Sequence, residues 1–381
     1  MVSYSADRIV FLVHDMLGGP ISNDGSYSNL PGRFILTILV SCCSVTFFAF
    51  SVTELRAILY GQDLVLSVID MLLLLGIAST LFSMHISAIG KYMTRSRVSF
   101  FHCLADIDGH MYTLNMHRDP SKSLATNCTA VFVVSVSIVL LHFASHYLHT
   151  QDSAKSVTVA FKAYGLFTIF VMCGLFLVLC QQLRFRIKCI GGHLNKIVDI
   201  ANRRNIRSRI RDLQSLSIIH SECFRGANCL NDECGLTNVS LYALVFYILT
   251  SKSFQLFYTC SKHLDLNLDL AVTEFLEPVT LLVVTFGYLS LSTYTGEMVL
   301  KEMQLVVNNL HKFESLLEKS DSFGLFSDNT NEIEQLGHQI IHQPIAFTVL
   351  NFFQIDLRFF HLIMASVGTY LIILLQFDFN N

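Results

Sequence analysis

Tryptophan is absent from this chain, proline occurs five times, and charged residues make up only 14% of the 381. Soluble domains carry about a quarter of their residues as Asp, Glu, Lys or Arg, so charge this sparse excludes an ordinary soluble domain. The net charge of −3 gives no basic footprint for nucleic acid, and none is expected as a partner. The chain has no Walker loop, no dinucleotide-binding glycine fingerprint, no HExxH and no GxSxG. Nothing in the sequence therefore argues for an enzyme or for a cofactor. Paired C-x-x-C knuckles are missing as well. His220, Cys223, Cys229 and Cys234 come nearest to a zinc set, but their spacing specifies no tetrahedral closure, so no metal is expected.

What is present is hydrocarbon. Hydrophobic residues make up 52% of the chain and the mean hydropathy is +0.51, the composition of a polytopic membrane protein. Seven apolar stretches are placed at 34–53, 64–84, 129–148, 158–180, 236–256, 270–294 and a final one at 359–377. About twenty apolar residues cross a bilayer as a helix, and in lipid a lone segment must satisfy its own backbone hydrogen bonds, so an all-α fold of seven transmembrane helices is predicted. Residues 1–33 form an N-terminal segment whose short apolar run, Ile9 to Val13, is too brief for a signal peptide. Between spans, 181–235 and 295–358 carry apolar residues at three- and four-residue spacing, as in Ile197, Ile200, Ala201 and Ile206, Ile210, Leu213. That spacing predicts helical extensions packed on each other outside the bilayer.

Lysine and arginine set the orientation. The N-terminus and the loops 85–128, 181–235 and 296–344 hold 20 of the 26, and the alternate loops hold 3. The positive-inside rule then puts the N-terminus in the cytosol and the four-residue tail, 378–381, outside. This is the inverse of a G-protein-coupled receptor. On that topology most cysteines lie in spans or on the reducing side, so no structural disulfide is expected within one subunit.

Charges inside the spans gather at one depth. Asp70, Lys162, Lys252, Glu274 and Glu277 all fall in the outer half of their helices. Buried charges in a bilayer face the bundle interior, a partner or water. A ligand pocket opening outward is therefore predicted, lined by His142, His146, Tyr147, Tyr164, Lys252, Gln255, Tyr258, Glu274 and Glu277. The plainer reading pairs Lys252 with Glu274 or Glu277 for structure alone and lets Lys162 snorkel.

The last 35 residues are the most specific part of the chain. Ile345 to Ile355 is apolar but too short to span, and Asp356-Leu357-Arg358 separates it from the final span. It reads either as one long helix projecting from the bilayer or as the inner half of a broken segment with a hinge at 356–358. The span then ends on Thr369-Tyr370, five aliphatic residues, and Gln376-Phe377. Here the chain resembles the insect gustatory receptors, whose last helix carries Thr-Tyr, five hydrophobic residues and Gln-Phe; all four fixed positions match.

That resemblance implies a taste receptor that is itself a ligand-gated cation channel. Four subunits, identical or mixed with relatives, would each contribute the last helix to one pore at the plasma membrane, and the cytosolic extensions would form an anchor domain where they meet. It also favours the broken final segment, with a cytosolic half and a pore-lining half. Ser366, Thr369, Ile373 and Gln376 share one helix face by their spacing, and with Tyr370 and Phe377 they are the pore and gate residues the resemblance implies. Membrane lipid and a small-molecule tastant are the remaining partners. Sugar receptors of the family tend to carry Glu after the Thr-Tyr pair, where this chain has Leu371, so a bitter plant compound is favoured over a sugar. The alternatives are a sugar-responsive receptor and a secondary transporter using its intramembrane charges.

Overall fold

The computed structural model describes residues 64–93, 100–116, 130, 133–137, 140, 153–200, 206–262, 268–320 and 327–379. Its elements are α1 Leu64–Met93, α2 Phe100–Thr113, α3 Ser153–Ile200, α4 Ile206–Lys262, α5 Leu268–Ser320, α6 Ser327–His342, β1 Thr348–Val349, β2 Phe353–Gln354 and α7 Leu357–Phe379. Residues 130, 133–137 and 140 are also helical.

Length explains the shape. Helices α3, α4 and α5 have 48, 57 and 53 residues, and at 1.5 Å per residue each is about 70–85 Å long. A hydrocarbon core is only about 30 Å thick. The apolar part of α3 and of α5 is the N-terminal part, whereas that of α4 is the C-terminal part. Because the three alternate in direction, their apolar ends lie together and their more polar ends, with α2 and α6, form a second helical layer beyond it.

A single core runs through both layers. Leu73, Ile77 and Leu81 of α1, Leu179 and Leu183 of α3 and Leu289 of α5 are all fully buried. In the polar layer the core continues through Leu194, Leu216, Ile219, Val306 and Phe313 to Leu336 and Ile340 of α6. Helix α1 pairs antiparallel with α4. The Tyr247 hydroxyl donates to the Ile69 carbonyl at 2.6 Å, Thr80 to the Ser240 carbonyl at 3.4 Å, and Thr237 to Ser87 at 3.4 Å.

Helix α2 is held from two sides by charge. Arg186 of α3, 4% exposed, donates through Nε and Nη2 to the two carboxylate oxygens of Asp108 at 2.8 and 2.7 Å. Arg225 of α4 meets Asp106 at 2.9 Å. The first is a two-pronged guanidinium–carboxylate pair, the geometry that gives arginine its specificity for carboxylates. Beside the second, the Cys229 thiol draws that of Cys103 down to about 7, with help from Arg225 and against the effect of burial.

Residues 345–355, read above as the start of a long helix or as an inner half-helix, are neither. They form a β-hairpin, with Thr348 opposite Gln354 and Val349 opposite Phe353. The Phe352 amide donates to the Val349 carbonyl at 2.9 Å, and Leu350 and Asn351 between them both have positive φ, 48° and 59°. Two left-handed central residues make the turn type I′, the one whose twist suits a hairpin. The helix before the break is α6 instead, and the break is fourteen residues long rather than a three-residue hinge.

Candidate functional site

The hairpin is the fulcrum between the polar layer and the final helix, and α4 grips it with one side chain. Asn231, 7% exposed, donates from Nδ2 to the Ala346 carbonyl at 2.9 Å and accepts from the Thr348 amide at 3.0 Å. Its carboxamide thus takes the place of a neighbouring strand. From α5, Gly296 comes so close that a Cβ there would lie 1.7 Å from the Ile355 carbonyl oxygen. Phe347 packs edge-on to Phe176 of α3, ring centroids 6.3 Å apart.

Asp356 closes the hairpin and starts the last helix. Its Oδ1 accepts from the Phe359 amide at 2.9 Å, three residues on, and so satisfies one of the orphan amides of α7. The position expected as a hinge is therefore a helix cap, and Arg358 beside it is exposed. Aromatic contacts then hold α7 between α4 and α5: Phe359 on Tyr242 at 5.0 Å and Phe360 on Phe286 at 5.8 Å in its first turn, and Tyr370 on Phe246 at 5.6 Å past its middle.

Helix α7 lies at the edge of the helical bundle. Few of its residues are buried, whereas most of those in the apolar part of α3 are. Thr369, Tyr370, Ile373 and Gln376 are exposed and Ser366 is partly so; the Phe377 side chain lies outside the described residues. The hydroxyls of Ser366 and Thr369 donate to the carbonyls four residues back, at 2.9 and 3.0 Å. Back-bonded in this way they offer lone pairs rather than donors, and the Gln376 amide is the strongest polar group on that face. Tyr370 and Ser366 turn toward a groove of about 410 Å³ between α4, the hairpin and α7, with Tyr242, Phe246, Leu350 and Phe353 also in its wall.

At the far end of the apolar layer the structure brings three predicted residues together. Lys252 is fully buried, and its Nζ donates to Gln255 Oε1 at 2.8 Å and meets Glu277 Oε1 of α5 at 3.4 Å. Lys252 lies sixteen residues past the start of the apolar part of α4, about 24 Å along the helix. A fully buried ammonium is tolerable only with partners of this kind. Tyr258 stacks on Phe254 one turn further on, and Tyr164 of α3 is 37% exposed. His142, His146, Tyr147 and the Glu274 side chain lie outside the described residues.

His220, Cys223, Cys229 and Cys234 sit along α4 itself, spread over about 21 Å of helix rise, too far to converge on one ion. Sequence reasoning missed Asn231, Gly296 and the aromatic seat of Tyr370. One signal was available for the hairpin: in FTVLNFFQI, Phe347, Val349, Phe353 and Ile355 alternate about Leu-Asn, a strand–turn–strand pattern.

The profile of the 7tm chemosensory receptor family matches residues 28–381 of the chain. Two solved structures share its fold: the insect olfactory receptor OR5 from Machilis hrabei in complex with eugenol, at 14% identity, and the same receptor described without it, at 15%. Each gives a TM-score of 0.68 over 97% of both chains. No curated protein matches the sequence.

Proposed function

The chain belongs to the 7tm chemosensory receptor family, whose members are receptors and not enzymes, and from that membership we propose that it is a taste receptor that conducts: a non-selective cation channel opened directly by a small-molecule tastant. The observation that carries the reading is the last helix. A 23-residue apolar helix that packs along one side, and leaves Thr369, Ile373 and Gln376 uncovered, suits a helix that meets its copies around a pore. Four subunits, alike or mixed with relatives, enclose it; the aliphatic face closes it and a shift of α7 opens it.

The ligand enters from the opposite end to the helical extensions. The orientation that puts the extensions in the cytosol, N-terminus inside and C-terminus outside at the plasma membrane, follows from the basic residues of the loops. In the outer half, Lys252, Gln255 and Glu277 set a few polar groups among many apolar ones, the pattern of a small-molecule site. Tyr164, Tyr258, His142, His146, Tyr147 and Glu274 complete the proposed lining. The eugenol complex of the Machilis receptor supports a small organic ligand for the shared fold. Leu371 after the Thr-Tyr pair favours a bitter plant compound over a sugar. Binding acts by differential affinity for the open state, passed from α4 and α5 to α7 through the aromatic contacts at Phe359, Phe360 and Tyr370.

Whole-cell recording from cells expressing the chain, alone and with related receptors, tests this against sugars and bitter plant compounds. A ligand-evoked cation current whose selectivity or gating changes in Gln376→Ala is expected. A ligand-driven flux that saturates with permeant concentration and lacks unitary channel events would instead make the protein a transporter.

A further inference from the structure

Helix α6 ends on a pair of histidines that none of the contacts above involves. His338 and His342 are one turn apart, both exposed, and their rings stack with centroids 5.9 Å apart and planes 7° from parallel. The opposite face of α6 does the docking. There Leu336 and Ile340 are buried, and Gln339 donates to the Ser217 carbonyl at 3.0 Å while accepting from the Ser217 hydroxyl. Two imidazoles are thus held side by side on a helix that is itself anchored. Within the described residues neither makes a hydrogen bond or an ion pair.

Histidines at i and i+4 on one helix face are the spacing by which a helix presents two nitrogens to a single metal ion. From the stacked arrangement, rotation about the exposed side-chain bonds brings one nitrogen of each ring to the roughly 2.0–2.1 Å that metal–imidazole bonds require. Two further features favour a cation there. Glu334, exposed, lies one turn earlier on the same face, and His342 is the last residue of the helix, where the carbonyls of the final turn give a negative end.

We propose that His338 and His342 form a binding site for a divalent transition-metal ion, Cu²⁺ ahead of Zn²⁺ in affinity, with water completing the coordination. The bound ion bridges the last turn of α6. That turn leads through Gln343 and Pro344 to the hairpin and α7, so the ion restrains the segment from which the final helix is hung. The site stands whether or not the protein is a channel.

The test uses full-length protein purified without a polyhistidine tag, titrated with Cu²⁺ and separately with Zn²⁺ by calorimetry. Electron paramagnetic resonance of the Cu²⁺ complex counts its nitrogen ligands. The expected result is a saturable site with two equatorial imidazole nitrogens, separate from any formed by His142 and His146, which share the spacing, and at least a tenfold loss of its affinity in His338→Ala and in His342→Ala. The melting temperature without metal stays unchanged, because both side chains are exposed. His311→Ala, an exposed histidine of α5 beside Glu314, leaves binding unchanged. Absence of saturable binding, a single-nitrogen signal, or undiminished binding by the double variant overturns the proposal.

Discussion

Two glycines of α5 allow the same substitution to be made in two opposite settings. At Gly287 nothing lies within 4 Å of where a Cβ would stand, whereas at Gly296 it would meet the Ile355 carbonyl oxygen at 1.7 Å and its carbon at 3.0 Å. Non-bonded carbon contacts settle at about 3.5–4.0 Å, so the hairpin strand must retreat from α5 by more than about 1 Å. Retreat is resisted on every side. The Ile355 amide donates to the Phe347 carbonyl at 2.9 Å, the Ile355 side chain is 1% exposed, Asn231 holds β1, and Asp356 caps α7. Overpacking of this kind costs about 1–3 kcal/mol, and a backbone obstacle belongs at the upper end. Alanine in place of glycine returns about 0.5–1 kcal/mol in a helix interior. Gly296→Ala is therefore expected to destabilise by about 2 kcal/mol, and Gly287→Ala to be neutral or stabilising by up to about 1 kcal/mol. Thermal unfolding of the purified full-length variants checks the order. If Gly296→Ala melts at or above Gly287→Ala, the hairpin does not bear on α5 as described.

Asn231→Ala removes both hydrogen bonds to the first arm of the hairpin and leaves the half-buried Thr348 amide and Ala346 carbonyl without that partner, so a loss of about 2 kcal/mol is expected in the same melts. Asn231→Asp, which keeps the shape but loses the donor to Ala346, should cost at least as much. Arg186→Ala frees Asp108 from its two-pronged partner and should cost about 3 kcal/mol by denaturant titration. Arg186→Lys keeps the charge without the fork and should fall between it and wild type. Lys252→Met leaves the half-buried Glu277 without its ammonium and should destabilise by about 3 kcal/mol, most of which returns when Glu277→Gln is added. Ligand-evoked current in that double variant separates the two readings of the pair: loss of response with stability restored marks a ligand contact, and an intact response marks a structural pair only.

The sequence by itself determined what the bilayer demands. Composition decided the class, because a helix that crosses hydrocarbon must be long and largely apolar, and four helices among the described residues are of that kind. The last helix was legible for the same reason, and its Thr-Tyr and Gln-Phe pairs pointed to the chemosensory family that the profile match shows. So was the pairing of Lys252 with an acid of the next helix, because a buried ammonium needs one. Tertiary structure alone decided the hairpin at 348–354. Its strands are two residues each, and the alternation about Leu350-Asn351 does not by itself hold so short a pair together; they exist because Asn231, more than a hundred residues earlier, supplies a partner and Gly296 leaves room. The fork from Arg186 to Asp108 and the seat of Tyr370 on Phe246 are of the same kind. Each depends on the phase and depth at which two distant helices pack, and neither quantity is written in the local composition of either helix.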